Sequence, residues 1–120
     1  MKAIPLITKA LFAIFFVICV AVHVLGLFKQ ITNEPTWSHI VHTISYCVCL
    51  YTLFVSIKYR LWVYIVAASY PFVFHVNCAW HSYVDYNKFN AICILVIIMM
   101  PLAAVFIWNM EQENLSSVDS

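Results

Sequence analysis

Five histidines and five cysteines stand out in a chain of 120 residues that has only six basic and five acidic side chains. Neutral imidazole is the commonest transition-metal ligand, and a thiolate can complete a zinc or copper site. The stretch FHVNCAWHSYVD, residues 74 to 85, sits at the end of a long apolar run and places His75, Cys78, His81 and Asp85 within three turns of helix. His81 and Asp85 are four apart, so they suit either a helix-surface ion pair or a carboxylate that fixes an imidazole tautomer. His39 and His42 are three apart and can share an ion. No H-E-x-x-H or C-x-x-C-H motif sharpens the choice between a metal ion and haem b.

The elements that must position these residues are membrane helices. Apolar residues make up 65% of the chain and charged residues 9%, too little polar cover for a surface in water. A spanning helix needs about 20 apolar residues. Four such runs occur, over 10–28, 37–57, 61–83 and 89–110, and they predict one all-α domain over 1–110. Short polar links with turn formers Asn33, Pro35 and Asn87 make consecutive helices antiparallel, an integral membrane four-helix up-down-up-down bundle. Residues 111–120 are polar and predict a disordered tail. A cleaved signal peptide is the alternative for the first run, which has early lysines and an apolar stretch; its length and the lack of a following A-x-A site argue against it.

Lys2, Lys9, Lys58 and Arg60 fall on the side of the termini, against Lys29 and Lys88 on the other. The bias predicts cytoplasmic termini, as in a bacterial inner membrane. Trp37, Trp62, Trp80 and Trp108 lie near helix ends, where indoles favour the interface. A net charge of +1 leaves no basic footprint for nucleic acid. The expected partners are the lipid bilayer and another membrane protein or a second copy of the chain.

In this frame His23, His42 and His75, from three helices, reach one level roughly 8 to 12 Å below the outer surface, at 1.5 Å per residue. His39 and His81 lie nearer the interface. Polar groups at depth face the interior and tend to be functional. The stripe through His23 reads Phe12, Phe16, Cys19, His23, Gly26, so the only glycine sits one turn outward of it and can admit a ligand or a neighbouring helix. The stripe through His42 continues to Tyr46 and Cys49, and that through His75 reads Ala68, Pro71, His75, Cys78, Ser82. Asn90 and Cys93 match the same depth on the fourth helix. Cys19, Cys47 and Cys49 read as small apolar fillers.

These observations predict a pocket for a transition metal (zinc, copper or iron) or haem. His23, His42 and His75 are the expected ligands of either, Cys78 a further metal ligand, and His39, His81 and Asp85 the lining of the entrance. A second reading is an accessory or assembly subunit in which the histidines form a structural belt. A third is a membrane enzyme with a histidine base acting on a lipid-type substrate, for which Glu34 or Asp85 is the acid partner. A proton-coupled exporter needs an intramembrane carboxylate, and the four runs contain none. A quinone-linked thiol oxidoreductase needs C-x-x-C, whereas Cys47 and Cys49 form C-x-C.

Overall fold

A computed structural model describes residues 3–29 and 34–119. Among them are four α-helices and no strand: α1 (Ala3–Lys29), α2 (Thr36–Phe54), α3 (Arg60–Tyr86) and α4 (Ala91–Asp119). The turn expected at Asn33 lies outside the described residues. Three helices contain stretches long and apolar enough to cross a membrane: Pro5–Phe28, Arg60–Tyr86 and Ala91–Val118. This is consistent with a membrane protein. α2 is not among them. Its 19 residues include Ser38, His39, His42, Ser45 and Thr52, all buried, so the polarity that lowers its hydropathy is turned inward. All four tryptophans are exposed.

Two boundaries differ from expectation for local reasons. α1 begins seven residues earlier than 10, because Pro5 falls in its first turn, where a missing N–H costs nothing. The polar residues after 110, expected to be disordered, continue α4 to Asp119. No glycine or proline stops the helix there, and Glu111, Gln112, Glu113 and Leu115 are good helix formers.

The chain divides into two compact units, Met1–Lys58 and Tyr59–Ser120, each a pair of packed helices. In the first, α1 and α2 run antiparallel, and the side chains meet in rungs. Lys9 Nζ lies 5.0 Å from the centre of the Phe54 ring, Phe16 packs on Tyr46 at 6.3 Å, and His23 meets His39 and His42. Lys9, Phe16 and His23 are seven apart, the repeat that keeps one seam of a helix against its partner. The expected stripe is the packed face: Phe12, Phe16, His23 and Gly26 are buried and Cys19 is half-buried, opposite buried Tyr46, Cys49 and Leu53. Hydroxyls on α2 bond their own backbone, Thr43 to the His39 carbonyl (2.8 Å) and Thr52 to that of Cys49 (2.7 Å), which suits a helix short of water.

In the second unit Asn87 ends α3 in the left-handed conformation (φ 50°), and the Asn87 and Lys88 amides close on the carbonyls of Tyr83 and Ser82. Asn90 Oδ1 then accepts the Cys93 amide at 3.2 Å and caps α4, so this side chain serves the helix start rather than a pocket. Tyr64 on α3 donates its hydroxyl to the Met100 carbonyl on α4 (2.8 Å).

Candidate metal centre

The close approach of α1 and α2 depends on Gly26. A Cβ at this position would lie 2.5 Å from His39 Cε1 and 2.8 Å from both ring nitrogens, so the imidazole occupies the space where any other side chain would begin. The sequence reading allowed a ligand or a neighbouring helix in this notch, and the occupant is a side chain of α2. With the ring seated there, His39 is 2% exposed. It is a buried member of the cluster, not the lining of an entrance.

From that position His39 Nδ1 meets His23 Nδ1 at 3.0 Å, one ring donating and the other accepting. His23 also stacks on His42, with ring centres 4.3 Å apart and planes 3° from parallel. Tyr46 continues the stack on the far side from Gly26, 5.6 Å from His23 and 6.0 Å from His42.

Glu34 brings the charge. It precedes Pro35, whose extended backbone opens α2, and its carboxylate returns over the first turn, where the helix dipole favours an anion. Its Oε1 lies 2.9 Å from His42 Nδ1 and accepts the Ser38 hydroxyl. Its Oε2 lies 3.6 Å from His39 Nδ1 and 4.0 Å from His23 Nδ1. Three imidazoles thus turn the same nitrogen toward one carboxylate, which is only 10% exposed.

Two chemistries are compatible with these contacts. Protons can hold the cluster together, one between His23 and His39 and one on His42 Nδ1, where both the Glu34 carboxylate and the Ser38 carbonyl (2.9 Å) are acceptors. A cation at the centre can replace those protons. His23, Glu34 and His42 each offer a ligand atom, all within 4.8 Å of one another, a group that could hold a metal ion. The Glu34–His42 pair also has the form of a carboxylate-oriented base. A serine nucleophile is excluded by geometry: Ser38 Oγ lies 3.4 Å from His42 Nδ1, the same nitrogen the carboxylate holds, whereas a triad needs the hydroxyl on the other.

Of the residues singled out in the sequence, His23 and His42 meet, and His39 joins them. His75 and Cys78 belong to the second unit. There the His75 Nδ1–H donates to the Pro71 carbonyl at 2.7 Å, one turn back along its own helix, and the Cys78 thiol interacts with that of Cys93. His81 and Asp85 form a pair at 3.2 Å with both side chains more than half exposed, the ordinary surface arrangement. The residue undervalued in the sequence is Glu34, considered there only as an acid partner for a histidine base. Its signal is spacing: Glu34, Ser38 and His42 fall at i, i+4 and i+8, one face of the α2 start. No protein-family model, curated protein or solved structure matches this chain.

Proposed function

We propose that this chain is a membrane protein that binds a transition-metal ion through His23, Glu34 and His42. The observation that carries the reading is the convergence of two imidazoles and a carboxylate, drawn from α1, the start of α2 and the link between them, within 4.8 Å. Buried charge in an apolar helix pair is costly unless it is paired or holds an ion. Two nitrogens and an oxygen without a thiolate suit a borderline divalent ion such as zinc rather than copper(I). A haem is less well supported. Its two axial imidazoles stand on opposite faces of a macrocycle, whereas His23 and His42 stack directly on each other. To coordinate one ion, these two rings must tilt out of their parallel stack.

The test is metal content per chain, by mass spectrometry, on protein purified in mild detergent without chelator or histidine tag. Wild type should carry close to one ion, and both Glu34→Gln and His42→Gln should lose it. A folded, metal-free wild type that takes up no zinc on addition overturns the reading. The second reading, a structural belt in an accessory subunit, then takes its place. It rests on the hydrogen bonds the cluster already makes within itself, and it predicts a lower melting temperature for the same two variants.

A further inference from the structure

Resting on that reading, we infer that His39 is a fourth ligand and that the site is a closed, four-coordinate centre for a zinc-type divalent ion. The argument starts from the size of such a site. Zinc holds nitrogen at roughly 2.0–2.1 Å and carboxylate oxygen at roughly 2.0–2.2 Å, so neighbouring ligand atoms in a tetrahedron lie about 3.3–3.5 Å apart. Three separations around one carboxylate oxygen bracket that edge: 3.0 Å from His23 Nδ1 to His39 Nδ1, 3.6 Å from His39 Nδ1 to Glu34 Oε2 and 4.0 Å from His23 Nδ1 to Glu34 Oε2, while His42 Nδ1 meets the other oxygen, Oε1, at 2.9 Å. Shifts of about half an ångström bring these three onto it, and His42 joins them once its ring tilts out of the stack with His23 and the carboxylate turns one oxygen toward all three imidazoles.

Placement distinguishes His39 from a bystander. Its Nδ1 is closer to Glu34 than that of His23 is, and it already faces His23 Nδ1 at hydrogen-bond distance, where a cation can replace the shared proton. Its ring is fixed by the notch at Gly26, which makes Gly26 a positioning residue for this ligand. A site whose four positions are all filled by protein keeps no place for water or substrate, unlike a catalytic zinc site. The centre therefore holds or hands on its ion and does not hydrolyse anything with it.

The experiment is zinc-edge X-ray absorption on the full chain in detergent, loaded with zinc alone. Wild type should give three imidazoles and one oxygen. His39→Ala should give two imidazoles with water in the vacated position. Gly26→Ala should give the same loss, because the methyl group displaces the ring while alanine favours the helix. It therefore serves as the second variant if His39→Ala does not fold. With cobalt in place of zinc, added azide should leave the visible spectrum of wild type unchanged and shift that of either variant. Two imidazoles and a water in wild type overturn the fourth ligand and leave the three-residue site standing. Failure of wild type to take up zinc at all overturns the metal reading beneath it.

Discussion

At the scale of residues the cluster is decided by which hydrogen bonds each side chain has left to give. Ser38 donates its hydroxyl to Glu34 Oε1, the oxygen that also faces His42. Such an outer partner orients a ligating carboxylate, and losing one typically costs about 10–100-fold in metal affinity. Ser38→Ala should therefore retain one zinc per chain but bind it about 10–100-fold more weakly, measured by competition with a chromophoric chelator. Unchanged affinity would mean that the hydroxyl only completes the helix start. The histidines were legible because an imidazole stands out in an apolar run and because His23 and Gly26 share a stripe. Glu34 was not, since it lies in a polar link where an acid is unremarkable. Only the extended backbone at Pro35, which sets Glu34 against the start of α2, gives its carboxylate a role.

At the scale of elements α2 is the helix that hydropathy alone passes over. Three other helices are apolar enough to cross a membrane, while α2 carries buried serines, threonine and histidines along the face that meets α1. Polarity turned against a partner helix does not oppose insertion as polarity facing lipid does. The remaining face, with Ile40, Ile44, Tyr51 and Phe54 exposed, is apolar. α2 should therefore cross together with α1 as a hairpin. Cysteines introduced one at a time at Lys2 and Ser56, in a chain with the native thiols replaced, should react with an impermeant reagent from the same side of sealed vesicles. Reaction from opposite sides would show α2 lying outside the bilayer. The four helices were readable from apolar runs, and Asn87 from its turn chemistry. The end of α4 was not, because composition that reads as disorder is also composition that prolongs a helix already begun.

At the scale of the whole molecule the chain is two helical hairpins, and the candidate centre draws every ligand from the first. Equal depth of His23, His42 and His75 predicts one site shared by three helices, whereas the group of ligand atoms found together lies within the first hairpin. Within α1 and α2 the cluster has its own carboxylate, its own notch at Gly26 and its own aromatic floor at Tyr46. His75 has its Nδ1 committed to the Pro71 carbonyl, one turn back along α3, which leaves Nε2 as its ligand atom. A site complete in one hairpin should be indifferent to ligand-type residues in the other. His75→Gln combined with Cys78→Ser, in the full chain, should therefore leave zinc content at the wild-type stoichiometry, whereas His23→Gln should abolish it. Zinc lost from the first variant, with helical content intact by circular dichroism, would mean that a ligand comes from α3 and that the hairpin alone does not make the centre.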